Sequence, residues 1–267
     1  MPDTTYTHGH HESVLRSHRW RTAANSAAYL LPHLAPGLDL LDVGCGPGTL
    51  TCDLARAVTP GRTVGLDAAP EVVELARAEA AGRGVASVTF EVADLFALPF
   101  PDDSFDVVHA HQVLQHVADP VGALVEMRRV CRPGGVVAAR DGDYPAFTYA
   151  PAEPDLDRAI AAYGEVTRAN RANWDAGRHL FGWAHAAGFT EVAPSASVWC
   201  FATDEDRAWW GGLWADRVTQ SAWADQLIDY GIADRSDLQA FADGWRRWAA
   251  SPDGWFAVLH GEIVAAA

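Results

Sequence analysis

The chain has 267 residues, 49% of them apolar, with 20 basic against 35 acidic side chains and a formal charge of −15. That charge repels phosphate backbones, and the basic clusters at 16–21 and 246–247 are short and tryptophan-flanked, so a nucleic-acid substrate is not expected. Four cysteines without CxxC spacing, no apolar leader and no run near the ~20 apolar residues of a membrane span point to a soluble, cytoplasmic protein.

The chain opens on a histidine-dense segment, YTHGHHESVLRSHRW (6–20), which runs into a helical pattern, VLRSHRWRTAANSAAYLL, expected to stop at Pro32. His11-Glu12 begins like HExxH, but Leu15 stands where the second histidine belongs and no cysteine lies near, so no metal site is expected. LDLLDV (38–43) reads as a buried strand, TLTCDLARAV (49–58) as a helix, TVGLD (63–67) as a second strand and PEVVELARAEAAG (70–82) as a helix with proline in its first turn. VTFEVAD (88–94) and FDVVHA (105–110) supply two more strands, residues 120–130 a helix, and GGVVAAR (134–140) a fifth strand. This alternation implies βαβ crossovers and an open, mostly parallel, doubly wound sheet.

The rhythm then changes. Residues 145–176 read as helical and irregular, 179–189 as a helix closed by Gly188, and 192–202 as extended. Residues 204–250 are helical and carry six tryptophans, and 255–265 alternate as a last strand. The expected organisation is an N-terminal helical lid (1–36), an α/β core (37–203 and 253–267) and a Trp-rich helical cap (204–252) inserted before the last strand. Six tryptophans are more than a small cap is expected to bury, so one or two are expected to line a pocket for a flat or apolar ligand.

LLDVGCGPGTL (40–50) carries the most chemistry. Glycines between a buried strand and a helix permit a tight turn and close approach of backbone to ligand, with helix N–H groups beyond. The dinucleotide pattern G-x-G-x-x-G fails at Thr49, and a P-loop fails for want of a lysine. The spacing is G-x-G-x-G, with Asp42 in the strand end before it.

DVGCGPGT resembles the first motif of class I S-adenosylmethionine (SAM)-dependent methyltransferases. GLDAAPEVVELARA (65–78), ADLFALPFPDDSFDVVHAHQVLQHV (93–117) and LVEMRRVCRPGGVV (124–137) resemble the later motifs of the ubiquinone/menaquinone-biosynthesis-like branch in order. The resemblance covers about 37–140 and implies a seven-stranded Rossmann-like sheet and SAM as cofactor. By it, Asp67 takes both ribose hydroxyls with Ala68 beside it, and Asp94 accepts the adenine amino group between Ala93 and Leu95. Asp42 and Gly44–Gly48 cradle the methionyl end, with Cys45 a small apolar filler, and His111 and Gln112 lie near the sulfonium. His116 falls on the histidine of the branch's L-x-H-V pattern, on the helix after the fourth strand, as a candidate base or a helix-orienting group.

Arg140, Asp141, Asp143 and Tyr144 leave the fifth strand where ligands of such sheets bind, and Asp141 and Tyr144 are carried as catalytic candidates. Asp102–Asp103 read as a surface turn, Asp106 as a fold contact, and His179, His185 and His260 as structural. The branch has an N-terminal helical segment that folds over the SAM pocket. The opening histidines occupy that place, so Tyr6, His8, His10 and His11 are expected to face the ligand with Trp20 as anchor, the alternative being a solvated tail. The resulting expectation is methyl transfer to a small aromatic or apolar acceptor; the alternative is a SAM-binding protein with non-methyl or regulatory chemistry. The acceptor atom and the oligomeric state are open.

Overall fold

The computed structural model describes Thr7 and residues 11–267. The helix expected to run unbroken to Pro32 is two helices. α1 (Glu12–Arg19) ends at Trp20, and Thr22 starts α2 (Ala23–Ser26) with a reciprocal cap. The Thr22 hydroxyl accepts the Asn25 N–H at 3.2 Å, and Asn25 Oδ1 accepts the Thr22 N–H at 2.8 Å. Side chains that satisfy the backbone this way begin a new helix in place of continuing the old one. Pro32 lies inside a 3-10 turn, Leu31–His33.

Strands and helices then alternate as β1 (Leu40–Val43), α3 (Thr49–Val58), β2 (Thr63–Asp67), α4 (Pro70–Arg83) and β3 (Val88–Val92). β4 (Phe105–His111), α5 (Pro120–Val130) and β5 (Cys131–Gly142) follow, then β6 (Thr148–Ala150), α6 (Pro154–Ala169), α7 (Ala176–Ala186) and β7 (Val192–Phe201). α8 (Asp204–Gln220), α9 (Ala222–Asp229) and α10 (Arg235–Ala250) precede β8 (Trp255–Ala266).

The sheet runs β3-β2-β1-β4-β5-β8-β6, with β7 also on β8. The first five strands are parallel; β8 is antiparallel to β5, β6 and β7. The short β6 is an eighth strand where seven are expected. It is too brief to leave an alternating pattern, and it pairs only with the first residues of β8. β1 lies between β2 and β4, so the winding reverses there and a crevice opens at the C-terminal strand ends, where doubly wound sheets bind ligands.

The tryptophan block packs differently from expectation. Trp210, Trp214, Trp223, Trp245 and Trp248 are each at most 3% exposed. The helices 204–250 do not bury them alone. Phe201 and Phe256, from strands, stack on Trp210 and pack against Trp245, and Tyr163 of α6 meets Trp214 and Trp223 edge-on. Edge-to-face and offset contacts of this kind add to the area each ring buries. Only Trp209 is half-buried, and it packs on Trp20.

Candidate active site

A cavity of about 420 Å³ opens at the ends of β1, β2 and β3, within the size range of small-molecule sites. Its floor is the glycine loop. Gly44 and Gly46 have φ of 66° and 55°, and a Cβ on Gly44 would stand 2.4 Å from Val113 Cγ2. Both line the cavity with Cys45, whose thiol is pushed well up by burial and the nearby Asp42, so it is a packing group and not a nucleophile. Gly48 does not line it. It caps α3 at φ 81°, where a Cβ would stand 2.9 Å from that of Ala76, so this glycine serves close packing of α3 on α4.

Three carboxylates border the cavity. Asp42 is buried and accepts the Thr51 hydroxyl at 2.5 Å and His109 Nδ1–H at 2.8 Å, which ties β1 to α3 and β4. Asp67 accepts the N–H groups of Gly46 and Ala69, each at 3.1 Å. Asp94 accepts the Phe96 N–H at 3.0 Å, and Ala68, Ala93 and Leu95 line the same wall.

His111 and Gln112 close the inner end. Arg140 donates to His111 Nε2 at 2.8 Å, so the ring is an acceptor there; burial, with Arg21 and Arg140 nearby, holds it well below the usual histidine range. The neutral ring therefore carries its proton on Nδ1, a buried atom with no partner among the described residues. Gln112 is held at φ 53°, accepts Arg21 Nη2–H at 2.5 Å and donates to His260 Nε2 at 2.8 Å. A non-glycine residue kept in this region is a local strain of the kind found at functional sites.

A second, narrow cavity of about 20 Å³ abuts the first and shares His18, Arg21, Gln112 and His116 with it. Its other walls include Tyr144, Phe147, Trp199, Trp210 and Trp214. Tyr144, Phe147 and Trp214 continue into a third small space beside Trp223 and Trp245. His116 lies in a 3-10 turn, Leu114–His116, and not on a longer helix. Burial and Arg21 pull its ring down to about 3, so it is a neutral acceptor, and Gln115 Nε2 donates to it at 3.0 Å.

Three expectations are corrected. His11 lines neither cavity: its Nδ1 accepts the Ser13 N–H as the N-cap of α1. Tyr6, His8 and His10 lie outside the described residues. His18 and Arg21, not among the expected site residues, reach the cavity from the same segment. His18 follows Leu15 by three positions, the spacing of one helix face, and both line the cavity. Arg140 and Asp143 are structural, bound to Glu262 and by two 2.6 Å bonds to Arg178.

Asp141, the third, is fully buried, lines none of these three cavities and accepts the Gln115 N–H at 3.0 Å, so it positions the His116 turn. Burial raises its carboxyl from 3.8 to about 7. The folded state thus keeps a proton that the unfolded chain loses, and stability falls as pH rises from about 4 to 7 and is level above. Asp141→Asn mimics the neutral acid. It is expected to melt roughly 3–10 °C above wild type at pH 8, a gain on the order of 1–3 kcal/mol that closes by pH 4 in a pH series of melting curves.

Residues 34–206 match the family model described as a methyltransferase domain. The chain belongs to that family. This methyltransferase is 35% identical over 269 residues to an uncharacterised methyltransferase of Schizosaccharomyces pombe, covering 97% of this chain and 95% of that one. Over 101 residues, 38% of this chain and 43% of the relative, it is 41% identical to a ubiquinone/menaquinone biosynthesis C-methyltransferase of Bdellovibrio bacteriovorus. A Haemonchus contortus phosphoethanolamine N-methyltransferase solved with SAM shares its fold at TM-score 0.57 and 15% identity, covering 94% of this chain and 56% of that one. SAM is the cofactor of this class I methyltransferase.

The residues present fit that cofactor. Gly44 and Gly46 leave the loop open, acids stand at three successive strand ends, and among the described residues the buried His111 Nδ1–H has no acceptor. Among the described residues no helix is long and apolar enough to cross a membrane, and no three metal-ligating side chains converge.

Proposed function

We propose that this methyltransferase transfers the SAM methyl group to a small aromatic or apolar acceptor held in the second cavity. The observation that supports this reading is the shared wall: His18, Arg21, Gln112 and His116 border both the glycine-loop cavity and the aromatic one. SAM supplies an electrophilic methyl on a sulfonium. On this reading Asp67 binds the ribose, Asp94 the adenine amino group, and the loop around Gly44 and Gly46 the methionyl end. Asp42 holds the loop through Thr51 and His109. Gln112 and His111 position the sulfonium end, and Tyr144 and Trp214 face the acceptor.

Residues 1–36 then act as a lid, through His18 and Arg21, and 204–252 as a cap that supplies aromatic wall to the core. The second cavity is narrow, so an aromatic ring enters as the Arg21–Gln112 bond opens. Excluding water and orienting the acceptor supply much of the rate, since positioning alone contributes up to about 7–11 kcal/mol in favourable cases. Incubation with methyl-labelled SAM and pooled aromatic, aliphatic, peptide and nucleic-acid acceptors tests this. Label is expected in the aromatic pool. Cofactor binding with no labelled product in any pool would refute transfer and favour a SAM-dependent protein of non-methyl chemistry.

A further inference from the structure

The three cavities lie in series. The cofactor cavity shares His18, Arg21, Gln112 and His116 with the second, and the second shares Tyr144, Phe147 and Trp214 with the third. The third is about 10 Å³, close to the roughly 10–15 Å³ that admits one water-sized group. Among the described residues no charged side chain lines it, and its walls are aromatic apart from Ala159 and Ile160. Two of its indoles, Trp223 of α9 and Trp245 of α10, are each 1% exposed, and neither N–H has a hydrogen-bond partner among the described residues. An indole N–H donates and never accepts, so what these two groups lack is an acceptor. A buried donor left unpaired costs free energy, which a ligand oxygen placed against it restores.

We propose that the third cavity is the far end of the acceptor site and takes a neutral carbonyl oxygen. The acceptor is then an aryl ketone, aldehyde or ester whose methylated atom and carbonyl stand at opposite ends of the ring. This rests on the reading of the second cavity as the acceptor site. The ring lies against Tyr144, Phe147 and Trp214, its methylated end meets the cofactor across the wall shared with the first cavity, and its carbonyl accepts from Trp223 and Trp245. A carbonyl oxygen has two lone pairs and no proton, which matches two donors. A hydroxyl or primary amide at that end would bring a further donor to walls already in surplus of them. A carboxylate would bring a charge with no counter-ion on the walls of that space.

Calorimetric titration of the full chain, loaded with S-adenosylhomocysteine, with para-methoxyacetophenone and with para-ethylanisole tests the donor pair. Both probes are uncharged, and the second has a methylene in place of the carbonyl. Transfer out of water alone favours the more apolar para-ethylanisole, so the order of the two is decisive. The ketone is expected to bind tighter by about tenfold or more, the size of two neutral hydrogen bonds. Ortho-methoxyacetophenone, whose two groups are adjacent, should bind about fivefold or more weaker than the para isomer. Trp223→Phe and Trp245→Phe each keep an aromatic ring and remove the N–H, and each should cut the ketone's advantage by about fivefold. Binding of para-ethylanisole to the wild type as tight as the ketone or tighter overturns the carbonyl inference and leaves the acceptor site standing. An advantage unchanged in both variants does the same, since the N–H groups then serve only the faces of neighbouring rings. Equal binding of the two isomers overturns the placement at opposite ends. Failure of all three probes to bind while S-adenosylhomocysteine still does overturns the acceptor-site reading as well.

Discussion

Asp67→Ala is expected to weaken SAM binding by about 100-fold or more while leaving the fold intact. A hydrogen bond to a charged group contributes about 1.5–3 kcal/mol, and two lost to the ribose hydroxyls give a change of that size. The carboxylate also accepts the Gly46 N–H at 3.1 Å, so its removal frees the middle of the glycine loop. A carboxylate offers roughly four acceptor sites, enough to hold the loop and a pair of hydroxyls together. Asp67→Asn keeps one acceptor oxygen and should lose only about tenfold. The residue is only partly buried at a strand end, so melting should shift little. Calorimetric titration with SAM decides the matter: affinity within about threefold of wild type for Asp67→Ala means that Asp67 does not hold the ribose.

The contrast between Asp67 and Asp141 marks how far the sequence carries. Both are acids at the end of a buried strand, where a sheet of this class binds ligands. Asp67 ends β2 on the cavity, next to the glycine loop in the neighbouring strand, so strand order alone places it. Asp141 stands in β5, where alternate side chains point to opposite faces. Nothing in the local pattern says that Gln115 and its 3-10 turn cover that face. The same limit applies to His18 and Arg21. Their helix face is readable, but Arg21 meets Gln112 across 91 positions, and no spacing rule encodes that meeting. The length of 204–250 alone does not predict how fully its tryptophans are buried, because strand residues Phe201 and Phe256 complete their packing.

These misplacements share one physical origin. Strand ends and glycine turns are local, set by a few consecutive residues, whereas the wall between the two cavities is assembled from α1, the end of β4 and the 3-10 turn after it. Charge follows the same division. The acids of the cofactor cavity sit on the strand ends, and the cations of the second cavity come from the segment around α1 and from α8. On the proposed reading, cofactor recognition belongs to the sheet and acceptor recognition to what packs on it, and substitutions in the two are expected to separate in binding measurements.

Arg140→Leu is expected to cost about 3–5 kcal/mol, the range for breaking a buried ion pair by removing one partner. Arg140 is 1% exposed and donates to Glu262 at 3.1 Å, to Ser197 Oγ at 3.0 and 3.1 Å and to His111 Nε2 at 2.8 Å. Its guanidinium also lies 4.8 Å from the centre of the Trp199 ring. Burial lowers it to about 10, still protonated at neutral pH because Glu262 opposes the shift. Leucine leaves the Glu262 carboxylate 5% exposed with only the Ser195 and Ser197 hydroxyls, and melting should fall by roughly 6–20 °C. Replacing both, Arg140→Leu with Glu262→Leu, removes the stranded charge and should recover most of that loss. The double variant also frees His111, whose proton is fixed on Nδ1 only while Arg140 donates to Nε2. It should therefore melt near wild type yet bind SAM more weakly, by about tenfold for one misdirected donor. Recovery of stability together with unchanged SAM affinity would mean that the tautomer of His111 has no part in holding the cofactor.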